Sequence, residues 1–148
     1  YEISACLVGS EMCIRDRAST TFTVALILPG VDHPFFAALA QQVCVALARR
    51  GYRMLLYVTA SNPEMEQACV NMVRQNKADG IIVASNKFCE YWSYERVIDT
   101  VVLQRDFGYP VCSIEKEYIN AASGQLRTRF QAFIESVEIK KIQEGVKR

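Results

Sequence analysis

Short apolar runs alternate with helix-like segments along the chain from Thr23 onward. Five of these runs have the length and the apolar character of buried parallel strands. They are Thr23–Leu28, Tyr52–Val58, Gly80–Ser85, Thr100–Gln104 and Val111–Ile114. Strand–helix alternation predicts an α/β fold, with a doubly wound parallel sheet, right-handed crossovers and helices on both faces.

The first predicted helix begins at Pro34, because proline suits the first helical turn and His33 or Asp32 is placed to cap it. Gly51 marks the end of this helix. Its apolar residues recur at helical spacing and predict one buried face. The residues of that face are Phe36, Leu39, Val43, Leu47 and Arg50.

A second helix is predicted from Asn62-Pro63, where Ser61 and Glu64 could form a capping box. Its apolar stripe consists of Met65, Cys69, Met72 and Val73. Residues 88–99 and 121–137 predict two further helices, and residues 139–148 start like a strand. The apolar side of the helix over 121–137 consists of Leu126, Phe130, Phe133 and Val137.

Ligands of open parallel sheets bind beyond the carboxyl ends of the strands. Three segments therefore form the predicted crevice: Pro29–Phe36, Ser85–Asn86 and Arg105–Asp106. The first helix begins there, and its N–H groups and dipole favour an electron-rich ligand atom. His33 is then either a helix cap or a ligand contact, and Ser85 is a candidate polar contact.

Two adjacent aromatic residues, Phe35 and Phe36, stand at the start of the first helix. Both could belong to the core. Helical neighbours point about 100° apart, however, so one buried face does not hold both rings. Phe36 fits the apolar stripe better, which leaves Phe35 to stack on the C–H face of a sugar or on a base.

Arg105 and Asp106 place a fork-shaped donor beside a carboxylate acceptor, and sugar hydroxyls need both functions. The same two residues could instead form a surface ion pair at a strand end. Neighbouring side chains on an extended segment face opposite ways. We therefore expect only one of the two to face a ligand.

The composition excludes several other classes of site. The net charge is +1, from 17 Lys and Arg against 16 Asp and Glu, and does not indicate nucleic acid as the main partner of this segment. Six cysteines without a CxxC pair, beside a single histidine, do not form a zinc pattern. We interpret Cys44 and Cys69 as small apolar residues on helix faces, which suits a reducing cytoplasm.

Nucleotide-binding and hydrolase motifs are also missing from the sequence. It contains no GxGxxG, GxxxxGK[ST], GxSxG or HExxH motif, and its acidic residues form no evident catalytic pair. It contains no apolar stretch of the roughly 18 residues that a membrane span requires. We therefore predict no cofactor, no metal, no catalytic residue and no membrane partner.

Residues 1–17 show neither a strand nor a helix period. Their segment Leu7–Arg17 resembles the translation of a transposon adapter used in sequencing libraries, and Met12–Asp16 reads back as ATG TGT ATA AGA GAC. We expect residues 1–17 to be an adapter-derived artefact, to be excluded from reasoning about the fold. The alternative is a natural, unstructured tail.

The segment Thr23–Ser85 resembles the start of the effector domain of lactose-repressor-type transcription regulators. An apolar strand ends in proline, and His33-Pro34-Phe35-Phe36 leads into a helix. A Gly-Tyr strand, an Asn-Pro-Glu helix and an Asp-Gly-Ile-Ile-Val strand follow in the family's order. The resemblance implies the first lobe of a type I periplasmic-binding-protein-like fold, which closes with a second lobe on a sugar or similar metabolite.

The same resemblance places ligand contacts of this lobe on His33, Phe35 and Phe36. His33 stands where the family usually has asparagine, and Arg105-Asp106 reverses the family's usual Asp-Arg order. The implied organisation is a first lobe over residues 18–116 and a truncated second lobe from 117 to 148. The parent protein would be a cytoplasmic homodimer that contacts DNA only through a preceding domain, and not an enzyme.

Two alternatives remain beside the regulator. An extracytoplasmic sugar-binding protein of a transporter shares the sequence pattern, and an enzyme on a doubly wound sheet would share the fold. A helix-turn-helix encoded upstream in the gene would identify a regulator, whereas a signal peptide would identify a transporter protein. An enzyme would require a catalytic constellation, which the sequence does not show.

Overall fold

The computed structural model describes residues 22–85, 100–115 and 123–146. The strands are β1 (Thr23–Leu28), β2 (Arg53–Val58), β3 (Gly80–Ser85) and β4 (Val111–Glu115). The helices are α1 (Pro34–Ala48), α2 (Pro63–Gln75) and α3 (Ser123–Val146), and residues 100–105 are also helical. The predictions made for residues 1–17 and for the helix over 88–99 lie outside the described residues. None of the helices in the described ranges is long and apolar enough to span a bilayer.

The four strands form one parallel sheet in the order β2-β1-β3-β4. Leu28 pairs with Val58 across β1 and β2, and Ser85 pairs with Glu115 across β3 and β4. The strand that follows β1 in the chain, β2, lies on one side of β1 in the sheet, and the next strand, β3, lies on its other side. The junction of β1 and β3 is therefore the topological switch point, where sheets of this kind open a crevice.

Helices cover both faces of the sheet because strand side chains alternate between the faces. Leu26 and Leu28 share one core with α1 and α3, whereas Ala25 and Ile27 share the other core with α2 and the helical residues 100–105. Four residues of the predicted face of α1 are buried, namely Phe36, Leu39, Val43 and Leu47, whereas Arg50 is exposed beyond the end of the helix. The predicted α/β, doubly wound parallel architecture is confirmed.

The prediction of a strand over Thr100–Gln104 is wrong, because this segment is helical. A strand buried between two helical layers needs both of its faces covered, but here only Leu103 is fully buried and Val101 is exposed. A helix buries one side and leaves the other exposed to water, and this pattern matches the burial of residues 100–104. The fourth strand is Val111–Glu115, so the structure describes four strands rather than the five predicted.

The expected strand start at residues 139–148 is also wrong, because α3 continues to Val146. The side chain of Lys141 explains the continuation. Its Nζ lies 4.0 Å from the ring centroid of Phe22, 4.3 Å from that of Tyr52 and 3.5 Å from Oδ2 of Asp79. This cluster holds the last turns of α3 against the amino ends of the strands.

The first half of α3 lies on the same face of the sheet as α1. Phe133 and Val137 of its predicted apolar side are buried, and Leu126 and Phe130 pack against the same core. That residues 117–148 begin a second lobe stays a prediction. In the structure, the described part of this stretch packs against the four-stranded sheet.

Three smaller predictions also differ from the structure. Asn62 caps α2, because its side chain accepts a hydrogen bond from Glu64 N at 2.9 Å, and no Ser61–Glu64 box is needed. Cys69 is buried as a small apolar residue, but Cys44 is exposed. In the predicted stripe of α2, Met65 and Met72 lie at the exposed margin.

Candidate functional site

The candidate site is the carboxyl edge of the sheet, around the switch point between β1 and β3. The end of β1 is tied to the chain after β2, because Thr59 N donates to Leu28 O at 2.9 Å. Ser85 ends β3 beside Glu115, which ends β4. The loop after β1, residues 29–33, leads from this edge directly into α1.

His33 caps α1 through both its side chain and its backbone. Phe35 N donates to Nδ1 of His33 at 3.1 Å, and Phe36 N and Ala37 N donate to His33 O at 3.0 and 3.3 Å. Pro34 has no N–H group. The first turn of α1 therefore uses its N–H groups internally, which corrects the expectation that they are available to a ligand. The prediction that His33 caps the helix is confirmed.

Three aromatic rings meet at the start of α1. The ring centroids of Phe35 and Phe36 are 4.9 Å apart at 78°, and the His33 ring lies 6.4 Å from the first and 6.1 Å from the second. These edge-to-face arrangements are the favourable ones for aromatic pairs. Phe36 is only 2% exposed, whereas Phe35 is half-buried at the margin of the same core. The predicted division between a core ring and an accessible ring is therefore observed.

A carboxylate lies beside these rings. Asp32 is exposed, and its side chain folds back over Gly30, where an added Cβ would come within 2.6 Å of Oδ1. Gly30 therefore provides the space in which the carboxylate lies against the loop. A negative charge next to the N-terminus of α1 is also stabilised by the helix dipole.

Glu115 and Thr59 belong to this edge but were not among the predicted site residues. Glu115 follows the apolar run of β4 by one position, and its place opposite Ser85 comes from the strand register. Thr59 is buried and its hydroxyl lies 3.4 Å from Leu28 O. The signal that marked Ser85, a polar residue directly after an apolar run, could have identified both.

Arg105 and Asp106 do not belong to this edge. The helical residues 100–105 precede β4 and run against the strand direction, so Arg105 lies near the amino ends of the strands. A hydrogen bond of the segment after this helix confirms the position. Pro110 O accepts it from Ile81 N, which lies at the start of β3. Their proposed place at the end of a strand was wrong because the preceding run is a helix.

The two residues form the surface ion pair that was the alternative interpretation. Nε of Arg105 lies 2.8 Å from Oδ1 of Asp106, and both side chains are well exposed. This hydrogen bond lowers the pKa of Asp106 and raises that of Arg105. Solvent-exposed pairs of this kind contribute little to stability. The structure thus places His33, Phe35, Phe36 and Ser85 at the carboxyl edge of the sheet, with only the three rings in mutual contact among these residues, and leaves Arg105 and Asp106 at the opposite edge.

A cavity of about 410 Å³ also lies at the amino edge. Its lining includes Asp79, Tyr109, Lys140 and Lys141. Two of these cations already have partners, since Lys141 pairs with Asp79 and Lys140 lies 5.1 Å from the Tyr109 ring centroid and 3.7 Å from Glu144. The cavity is remote from the carboxyl ends of the strands, where sheets of this class bind ligands. We do not assign the candidate site to it.

A family model and individual relatives are similar to the chain. Residues 2–137 match the family model described as HGD-D: 2-hydroxyglutaryl-CoA dehydratase, D-component. The NTD biosynthesis operon regulator NtdR of Bacillus subtilis is 30% identical over 69 residues, which are 47% of this chain and 21% of the relative. Catabolite control protein B of the same organism is 30% identical over 95 residues, 64% of this chain and 28% of the relative. The sucrose operon repressor of Streptococcus mutans is 30% identical over 63 residues, 43% of this chain and 20% of the relative.

One solved structure is also similar, that of the Cra transcriptional dual regulator from Pseudomonas putida in complex with fructose 1-phosphate. It is 29% identical at a TM-score of 0.47, over 63% of this chain and 32% of that chain. The chain spans between 20% and 28% of the length of the three regulators described above.

The family model and the individual relatives point to different classes of protein. The match to the model includes residues 7–17, which resemble a translated adapter. The three relatives are named as an operon regulator, a catabolite control protein and an operon repressor. For the function of the site we follow the relatives. The relatives are lactose-repressor-type transcription regulators, so the expected resemblance to that family is confirmed, and by the family model the chain belongs, over residues 2–137, to the 2-hydroxyglutaryl-CoA dehydratase D-component family.

Proposed function

We propose that this chain is part of the effector-binding domain of a cytoplasmic bacterial transcription regulator. Its effector is a sugar or similar small metabolite, which binds at the carboxyl edge of the sheet. The observation that carries the proposal is the ring cluster of His33, Phe35 and Phe36 at the switch point of a doubly wound sheet. The relatives support the regulator class, because they are named as an operon regulator, a catabolite control protein and an operon repressor.

The rings and the polar groups of this edge have separate roles in the proposed site. The half-buried ring of Phe35 offers a flat apolar surface to the C–H face of a sugar. Phe36 is buried beneath it and fixes the position of that ring through the edge-to-face contact. Asp32, Ser85 and Glu115 provide oxygen atoms that accept hydrogen bonds from hydroxyl groups. An apolar surface with a few convergent polar groups is typical of small-molecule sites.

Regulation requires parts beyond the described residues. We propose that the parent protein has a second lobe that closes on the ligand and a DNA-binding domain that precedes this segment, and that it acts as a homodimer. The ligand changes DNA affinity only if it binds one arrangement of the two lobes better than the other. The solved Cra structure, which contains fructose 1-phosphate, makes sugar phosphates sensible members of a ligand screen.

The proposal is tested by calorimetry on the full-length protein with Phe35→Ala. A sugar-class ligand should lose about 1–3 kcal/mol of binding free energy with the ring, on the scale of aromatic burial. Phe107→Ala is the matched control, because Phe107 is a similarly accessible ring at the amino edge, beside Arg74. Unchanged affinity in Phe35→Ala, or an equal loss in Phe107→Ala, would contradict the proposed site.

A dehydratase subunit is the second candidate, because residues 2–137 match the model of that family. The two candidates differ in a direct assay. A regulator binds DNA upstream of an operon, and a metabolite lowers or raises its affinity for that DNA. A dehydratase subunit would instead support the dehydration of a 2-hydroxyacyl-CoA. DNA binding that responds to a sugar favours the regulator, and dehydration activity without DNA binding favours the enzyme. The transporter protein is distinguished by a signal peptide encoded upstream.

A further inference from the structure

Three arginine residues surround the turn between α1 and β2. Arg49 caps the C-terminus of α1, Arg50 follows it and Arg53 is the first residue of β2, and all three residues are exposed. A backbone hydrogen bond closes the turn, because Tyr52 N donates to Leu47 O at 3.0 Å. Both of these residues are buried in the core, so the three arginines are carried by a turn that is anchored to the body of the protein.

The two elements joined by this turn carry no negative charge. The sequence contains no acidic residue between Asp32 and Glu64, so neither α1 nor β2 has a carboxylate. The dipole of α1 favours cations at its C-terminus and accounts for Arg49 and Arg50. It does not account for Arg53, which begins a strand, because β-sheets have only small net dipoles. The positive charge of the turn is therefore more than the helix dipole explains.

Further cations continue the positive surface along the amino edge of the sheet. Lys141 is adjacent to the turn, since its Nζ donates to the hydroxyl of Tyr52 at 3.1 Å. Four cations of this edge contact other side chains, namely Arg74, Arg105, Lys140 and Lys141, which lie against Phe107, Asp106, Glu144 and Asp79. Arg53 also has an interaction within the chain. A guanidinium group has five N–H donors, however, so one such interaction leaves donors for a phosphate oxygen.

The turn also lies beside the point at which the chain enters the sheet. Arg53 N donates to Phe22 O at 2.7 Å, and Phe22 directly precedes β1. A DNA-binding domain that precedes this segment, as proposed above, is therefore joined to the sheet at the amino edge. The candidate effector site lies at the opposite, carboxyl edge. The positive turn is thus on the side of the sheet from which the DNA-binding domain extends.

We infer that the turn between α1 and β2 contacts the phosphate backbone of DNA, with Arg49, Arg50 and Arg53 as its donors. This inference rests on the proposed function and extends the expectation that DNA is contacted only through a preceding domain. Guanidinium groups bind phosphate oxygens through two parallel hydrogen bonds. Such contacts hold a protein on the duplex without reading its base sequence. The net charge of +1 does not reveal this surface, because it averages over the whole chain.

The test measures the DNA affinity of the full-length protein as a function of salt concentration. The probes are a random-sequence duplex and the DNA upstream of the protein's own gene. Arg49→Gln/Arg50→Gln should weaken both complexes equally, by roughly five- to tenfold for each arginine at about 0.1 M salt, because fewer counterions are released from the phosphates. The slope of log affinity against log salt concentration should become shallower by about 1 for each arginine.

Arg127→Gln is the matched control for the loss of a positive charge. Arg127 is exposed near the start of α3, beside Leu126 and Phe130, whereas the last turns of that helix lie at the amino edge. This variant should keep both the affinity and the slope of the natural protein. The thermal melting temperature of each variant, measured by circular dichroism, should stay close to the natural value, since the exchanged side chains are exposed.

The outcomes separate the inference from the proposed function. If the natural protein binds neither duplex, the proposed function fails and the inference fails with it. If the natural protein binds DNA but Arg49→Gln/Arg50→Gln keeps its slope, or loses no more than Arg127→Gln, the inference is wrong and the proposed function stands. The turn would then be a surface for an acidic protein or a lipid headgroup. A loss confined to the upstream DNA would also contradict a backbone contact, because phosphates are the same in every sequence.

Discussion

The absence of a side chain at Gly80 makes room for the ring of Phe133. A Cβ added to Gly80 would come within 2.7 Å of Cζ of Phe133 and 2.8 Å of Cγ2 of Val137. Real Cβ atoms do not approach other carbon atoms so closely, so α3 lies directly against the first residue of β3. This contact joins α3 to the four-stranded sheet.

Gly80→Ala should therefore destabilise the chain by about 1–3 kcal/mol, the usual effect of an extra methyl group in a tightly packed core. The free energy of unfolding is measured by urea titration with circular dichroism. The control is Gly124→Ala, since Gly124 lies in α3 with nothing within 4 Å of an added Cβ. That variant should gain at most about 0.5–1 kcal/mol, because alanine favours the helical conformation more than glycine does and Gly124 lies in the first turn of α3. Equal stability of Gly80→Ala and the natural chain would show that α3 does not lie on β3.

The second prediction concerns the contribution of the ion pair between Asp79 and Lys141 to stability. Asp79 accepts a hydrogen bond from Thr23 N at 2.9 Å as well as pairing with Lys141, so Asp79→Ala removes both interactions. It should cost about 2–4 kcal/mol of stability, because it leaves a largely buried ammonium group without its carboxylate. Lys141→Met keeps an apolar chain over the rings of Phe22 and Tyr52 and should cost less.

A double-mutant cycle isolates the interaction of this pair. The loss in the double variant Asp79→Ala/Lys141→Met should be clearly smaller than the sum of the two single losses, since each single variant removes the same ion pair. Additive losses would mean that the two charges do not interact in solution.

His33 allows its role in the helix to be separated from a role in binding. His33→Ala removes the acceptor of Phe35 N and should destabilise the chain by about 1 kcal/mol. His33→Asn supplies a new acceptor at the same place and should remain close to the natural stability. Both variants lack the ring, so a loss of ligand affinity shared by both reports on binding rather than capping. Equal destabilisation in both variants would contradict the cap.

The cysteines should differ in reactivity toward iodoacetamide. Burial raises the pKa of the Cys112 thiol, and burial followed by the charge of Glu66 raises that of Cys69. A raised pKa keeps the thiol protonated at about pH 8, and the thiolate is the reactive form. Cys44 is exposed and should be labelled at least about tenfold faster than Cys112, as followed by peptide mass spectrometry.

The same labelling gives a control and a pH dependence. The difference between Cys44 and Cys112 should vanish in concentrated guanidinium, where burial is lost. Because the pKa of Cys112 is raised, its labelling in the folded chain should increase only as the pH rises beyond the range of an ordinary thiol. Fast labelling of Cys112 in the folded chain near neutral pH would contradict its burial in β4.

The sequence by itself determined the class of fold and the face of α1 that is buried. Apolar residues at a period of two or of 3.6 have their cause in local geometry, so Phe36 and Leu39 could be assigned to the core without knowledge of their partners. The cap by His33 was predictable for the same reason, since donor and acceptor are two residues apart.

Only the tertiary structure decided which elements the ambiguous runs form and at which edge their residues lie. Thr100–Gln104 is apolar enough for a strand or a helix, and the choice depends on how many of its faces are covered. Because the segment is a helix, Arg105 and Asp106 lie at the amino edge of the sheet and not at the predicted carboxyl edge. The helix beyond Ile139 depends on contacts of Lys141 with Phe22, Tyr52 and Asp79, which are remote in sequence. Such contacts form only after the chain has folded, so no local pattern encodes them.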